Sequence, residues 1–185
     1  MLKKHFYKVL IEHDNQPFAG AVLLIGNHFS WWDGFIANHL NYTVFKKRFH
    51  VMMLEEQLEN RMFLNKAGAF SIKKSTRSVI ESLSYSSEIL SCQDNMLVMF
   101  PQGVFETLYT RSFTFEPGIE KILKNLTDPP DVWFMVNLVE YFSQPKPSLF
   151  IRTKKHDGGL TTENLQEAYT RFFNDCVARQ TEDLI

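Results

Sequence analysis

Ala21-Val-Leu-Leu-Ile25 is a continuous apolar run closed by Gly20 and Gly26, and it constrains the fold more than any other stretch of the chain. A run with no polar alternation has no face to offer water, so it predicts a strand covered on both sides, as inside a parallel sheet. Further runs suited to strands are Phe49 to Leu54, Ala69 to Ile72, Asn95 to Phe100, Val132 to Leu138 and Ser148 to Thr153. Helical patterns fall among them. Ser30 to Asn41 reads as one helix; Ser75 to Ser91 places Val79, Ile80, Leu83, Ile89 and Leu90 on one stripe; Pro117 to Asn125 is short, and Thr162 to Ala178 is longer and amphipathic. Strand and helix alternating at this spacing predict an α/β fold with a mostly parallel or mixed sheet flanked by helices. With no internal repeat, low-complexity stretch or linker, residues 1–185 read as a single domain.

Composition removes several function classes. Lys and Arg total 20 against 21 acidic residues, so no global field attracts nucleic acid, and any basic site is local. Seventeen Phe residues serve to fill a core or to line an acyl pocket. Cys92 and Cys176 are far apart and form no C-x-x-C pair, which suits two free thiols in a reducing cytoplasm. No apolar run approaches the ~20 residues of a spanning helix. Lys3, Lys4 and Lys8 precede no signal-peptide core, because His5, Tyr7, Glu12 and His13 interrupt it. His39 and His50 are isolated, and no metal site is expected.

In an open α/β sheet, ligands bind beyond the carboxyl ends of the strands. Three such junctions carry chemistry here: Gly26 to Gly34, Ile72 to Ser78 and Phe100 to Arg111. In the first, Ser30 and Asp33 form an S-x-x-D capping box that puts Ser30 at the helix N-cap. Asp33 follows His28 by five positions, so its carboxylate can fold back onto the imidazole. Such a pair leaves one ring nitrogen free to take a proton from a hydroxyl. No G-x-S-x-G nucleophile elbow occurs, so that hydroxyl belongs to a substrate. Spacing alone favours a plainer reading, with Asp33 only a helix cap and His28 a loop histidine. In the second junction Lys73, Lys74 and Arg77 surround a helix start at Ser75 or Thr76, which fits an anion site and equally a solvated basic rim. In the third, Pro101 and Gly103 fit a tight turn.

Asn27-His28-x-Ser30-x-x-Asp33 resembles the N-H-x-S-x-x-D signature of the glycerolipid acyltransferases, of the lysophosphatidic-acid (1-acylglycerol-3-phosphate) acyltransferase type. Gly68-Ala-Phe-Ser-Ile72-Lys73-Lys74 is similar to that family's second block, with Lys74 where arginine is usual and the bidentate fork therefore lost. Phe100-Pro101-Gln102-Gly103-Val104-Phe105 resembles the third, with Gln102 for an acidic residue and Val104-Phe105 for a threonine and an arginine. Arg111 is the candidate for the missing cation. Phe134 to Leu138 aligns poorly with a fourth block, Asn137 standing at its proline, and Phe113 to Gly118 looks like the segment that follows the third.

The resemblance runs from Ala21 to Leu138 and implies a glycerol-phosphate-acyltransferase-like fold. It also implies transfer of an acyl group from coenzyme A or acyl carrier protein to a lysophospholipid-type hydroxyl, with no metal or bound cofactor. His28 would be the general base and Asp33 its orienting carboxylate. Lys74 would hold the acceptor's anion, and Gln102 with Gly103 would shape the acceptor or oxyanion site. Two alternatives stand beside it: a non-phospholipid acceptor such as an amino-acid lipid, a pigment or another alcohol, and a non-catalytic acyl-binding homologue. Location is expected at the inner face of the cytoplasmic membrane, held peripherally through Lys3, Lys4, Lys8, the Lys46-Lys47-Arg48 run and an exposed Trp31 or Trp32.

Overall fold

The computed structural model describes residues 2–54, 69–72 and 76–182. Seven strands form one sheet: β1 (Val9–His13), β2 (Val22–Gly26), β3 (Arg48–Leu54), β4 (Ala69–Ile72), β5 (Asn95–Met99), β6 (Asp131–Glu140) and β7 (Ser148–Lys155). The α-helices among the described residues are α1 (Asp33–Leu40), α2 (Thr76–Leu90), α3 (Gly118–Lys124) and α4 (Thr162–Glu182). The strand order is β1-β7-β6-β2-β5-β3-β4. The pairings are parallel except β6 with β7, so β7 and its parallel partner β1 run against the other five strands.

Strand β2 lies in the middle, between β5 and β6, and every residue of β2 and of β5 is buried. That position is why their sequences are unbroken apolar runs. Leu23 and Ile25 face a core built with α2, α3 and α4 on one side. Val22 and Leu24 face the other core, with α1 and with Leu2 and Phe6 of the N-terminal segment. Gly26 closes β2 where a Cβ would come within 2.8 Å of Met135 Cε and 3.1 Å of Phe100 Cε1, so side chains from both neighbouring segments occupy its space.

The α/β architecture is the one the alternation predicts, with three differences. Strand β1 was not foreseen: at the sheet edge its residues are only partly covered, and Val9 to His13 carries no clean pattern. Helix α1 begins at Asp33 rather than directly after Ser30. It then runs on into a π-helical turn, Asn41–Phe45, which ends with Lys46 at φ 55°. The Asn41 side chain pins that exit by bonding both the N–H and the carbonyl of Lys47.

The direction of the strands sorts the surface. β2, β5 and β6 end at Gly26, Met99 and Glu140 on one side, and because β1 and β7 are reversed, Tyr7, Lys8 and the β6–β7 turn lie on that side too. Arg48 pairs with Asn95 at the start of β5, which puts the Lys46-Lys47-Arg48 run at the opposite end of the sheet. No helix among the described residues is long and apolar enough to cross a membrane.

Asp131 fastens the start of β6. Its Oδ2 accepts from the N–H groups of Ala19 and Gly20, and its Oδ1 lies 2.7 Å from Lys155 Nζ. Burial alone would raise this carboxyl, but Lys155 and the two N–H groups outweigh it and hold it below the usual carboxylate range. A depressed folded-state value means that the contribution is complete above the unfolded-state value of about 4 and is lost as pH falls through the folded-state one. Asp131→Asn is expected to lower the stability at pH 7 by about 1–2 kcal/mol, or roughly 2–6 °C in Tm. Thermal unfolding at neutral and acid pH checks it, with the gap to wild type narrowing below about pH 4.

Candidate active site

Asn27 to Trp32 leave the end of β2 and turn into α1, and the turn is organised on one carboxylate. Asp33 is fully buried. Its Oδ2 accepts from His28 Nδ1 at 2.8 Å, Phe29 N at 2.8 Å and Ser30 N at 2.9 Å, while Oδ1 accepts from Ser30 Oγ at 3.1 Å. Ser30 Oγ in turn accepts from Trp32 N at 3.0 Å, so the expected capping box is half made: Ser30 N–H reaches the Asp33 carboxylate, but the serine hydroxyl meets the Trp32 N–H and not that of Asp33. The residues between them nevertheless form a turn and not the first turn of α-helix. Asp33 N–H bonds the Ser30 carbonyl at 3.3 Å, Trp32 takes the N-cap position, and no side chain caps it. Asp33 is drawn back over the turn by its four donors, which fixes the helix start later than the capping pattern suggests.

A carboxylate offers only acceptors, so the hydrogen of this pair sits on His28 Nδ1 and Nε2 carries the lone pair. The ring is held on both faces, by Phe100 at 4.7 Å and 18° and by Phe105 at 4.0 Å and 27°. The His28 backbone is held as well. Its N–H donates to Gln102 Oε1 at 2.8 Å, Gln102 Nε2 donates to Glu106 Oε2 at 2.7 Å, and Glu106 N–H returns to the His28 carbonyl at 2.8 Å. This closed circuit fixes which way the Gln102 amide faces. A shallow cleft lies beside it, lined by Asn27, His28, Phe29, Gln102, Glu106, Thr107, Phe113 and Phe173.

The structure brings together His28, Asp33 and Gln102, and it reassigns the rest. Buried Gln102 clamps the loop with one amide N–H on Glu106 and lines the cleft, while the Gly103 N–H bonds the Phe100 carbonyl at 3.2 Å and does not face an oxyanion. Gly103 is required by its φ of 69°, and a Cβ there would also press on Glu116 Cγ at 3.3 Å. Arg111 does not line the cleft. Its Nη1 donates to the carbonyls of Leu108 and Thr110, and its guanidinium lies over the Phe173 ring. Lys74, with Gly68 and Lys73, lies outside the described residues.

Asn27, Tyr169, Glu106 and Phe173 contribute in ways that the sequence reading did not assign. Asn27 uses its side-chain amide to bond both the N–H and the carbonyl of Asn137, tying the end of β2 to β6. The Asn137 side chain, fully buried, has no hydrogen-bond partner among the described residues. Tyr169 of α4 donates to the Met135 carbonyl; burial pushes its hydroxyl well above the ordinary tyrosine value. Glu106 and Phe173 complete the cleft. Only the amphipathic stripe of α4 gave any sign of the last helix's part, through Leu165, Tyr169, Phe172, Phe173 and Cys176. Burial pushes the Cys176 thiol up to about 12, so it supplies no thiolate at neutral pH. Among the described residues no cluster of His, Cys, Asp and Glu could hold a metal ion.

Residues 8–150 match the model of the Acyltransferase family, and the chain belongs to that family. Comparison with curated proteins gives no match.

The circuit around Gln102 yields a test. Gln102→Glu sets a carboxylate against Glu106 where an N–H···O bond stood, and it is expected to lower Tm by about 3–8 °C, equivalent to ~1–3 kcal/mol. Adding Glu106→Gln restores an amide facing a carboxylate and should recover most of the loss in thermal unfolding.

Proposed function

We propose that this acyltransferase moves a fatty acyl group from a thioester donor, coenzyme A or acyl carrier protein, to the hydroxyl of a lysophospholipid-type acceptor. The single observation that carries the reading is the His28–Asp33 pair at 2.8 Å, in a chain that belongs to the Acyltransferase family. Nε2 of His28 takes the hydroxyl proton as the oxygen attacks the thioester carbonyl carbon. The tetrahedral intermediate then collapses, the C–S bond breaks, and the imidazolium returns the proton to the leaving thiolate. Asp33 keeps the ring in the required tautomer and stabilises its charged form. The thioester supplies the acyl group, and no metal or bound cofactor enters the sequence. Lys74 is the proposed partner of the acceptor's anionic group.

A second reading replaces the phospholipid with an acceptor lacking phosphate. It is favoured by Arg111, which turns Nη1 onto the carbonyls of its own loop and does not line the cleft, and by the apolar Val104 and Phe105.

Membrane contact is proposed at the same end of the sheet as His28, on the inner face of the cytoplasmic membrane. Trp31, Val104, Phe105, Tyr109, Tyr141, Phe142 and Tyr7 all expose large apolar side chains on segments at that end, and Lys4, Lys8 and Lys146 are exposed beside Tyr7 and the β6–β7 turn. Aromatic rings with lysines around them suit a lipid interface. The Lys46-Lys47-Arg48 run lies at the far end and takes no part.

Thiol release from acyl-CoA and from acyl carrier protein, with lysophosphatidic acid in detergent micelles, tests the chemistry. Acceptor-dependent release is expected, reduced about 10²–10⁴-fold in His28→Ala; donor binding without release would support the non-catalytic alternative instead. For the surface, sedimentation with anionic liposomes should fall several-fold when Val104 and Tyr109 are both changed to Ser, while changing Lys46 and Lys47 to Ser leaves it unaltered.

A further inference from the structure

Glu106 carries the only charged side chain that lines the cleft among the described residues. It is half-buried and held in register with the proposed base by two bonds, its N–H to the His28 carbonyl at 2.8 Å and its Oε2 to Gln102 Nε2 at 2.7 Å. Gln102 cannot turn away, because its Oε1 is committed to the His28 N–H. Carboxylate Oε1 of Glu106 has no partner among the described residues, and Arg111, the next cation along the loop, turns its Nη1 onto the carbonyls of Leu108 and Thr110 and lies over the Phe173 ring. A negative charge fixed beside an acyl-transfer site offers a charge-assisted hydrogen bond to a cationic group on an acceptor's head.

Resting on the acyl-transfer reading above, we infer that Glu106 recognises an ammonium group on the acceptor's head, so that the acceptor is a single-chain lipid bearing both a free hydroxyl and an ammonium nitrogen. Oε1 accepts from the ammonium while Oε2 stays on Gln102, and the acceptor hydroxyl lies toward His28. A purely structural role for Glu106, orienting Gln102, needs an oxygen at this place but no charge.

The test compares two lysophosphodiesters of the same acyl chain that differ in the ammonium, lysophosphatidylethanolamine and lysophosphatidylglycerol, in neutral detergent with acyl-CoA. Thiol release is followed for wild type, Glu106→Gln, Glu106→Asp and His28→Ala. Wild type is expected to favour the ethanolamine acceptor by about tenfold or more in kcat/KM, the scale of one hydrogen bond to a charged group. Glu106→Gln, which still offers an oxygen to Gln102, should bring the ratio close to one, and Glu106→Asp should retain a preference. Release that depends on His28 with a wild-type ratio near one, or with a ratio that Glu106→Gln leaves unchanged, overturns the role of Glu106 and leaves the acyl-transfer reading standing. Absence of His28-dependent release with both acceptors overturns the two together.

Discussion

One buried carboxylate organises the end of the sheet. Asp33 is an anion out of contact with water, a placement that is costly unless its oxygens are satisfied. Four donors satisfy them, and all come from the three residues His28, Phe29 and Ser30. The same bonds that make the burial tolerable therefore draw the backbone into a turn, set where α1 begins, and fix the hydrogen on Nδ1 of His28. Structure and chemistry here share one set of contacts: the turn cannot form without orienting the imidazole.

Around this centre the sheet supplies rigidity. Gly26 lets Met135 and Phe100 close against the strand end, Asn27 bridges to the backbone of β6, and Gln102 and Glu106 tie the loop after β5 to His28. Two phenyl rings then sandwich the imidazole. The family match ends at residue 150, yet α4, beyond it, closes the site from behind, with Tyr169 on the Met135 carbonyl and Phe173 in the cleft wall. Wherever acceptor or acyl-chain preferences differ among related chains, this last helix is a place for the difference to reside.

Sequence pattern reached the buried half of the fold more readily than its edges. Central strands β2 and β5 have no solvent face, so hydrophobicity alone marks them; β1, half covered at the sheet edge, carries a mixture that no periodic pattern resolves. His28 and Asp33 were legible because their interaction is local, within one turn. Gln102 was found as a residue of the site, but its bonds to Glu106 and to the His28 N–H, a partner 74 residues away, could not be read from the sequence. The carbonyls of Leu108 and Thr110 that Nη1 of Arg111 meets carry no sequence signal either. Glu106 had no signal at all: a single acidic residue in a loop takes its meaning from what it faces.

The central claim is that His28 acts on the acceptor's own hydroxyl, so that the acyl group passes directly from donor to acceptor. Rapid-quench mass spectrometry of the intact protein during turnover, with product ester measured in the same samples, addresses it most directly. The account predicts ester forming at the rate of thiol release while the protein mass stays unmodified. Accumulation of an acylated protein whose decay matches ester formation, or thiol release with no ester, would contradict it.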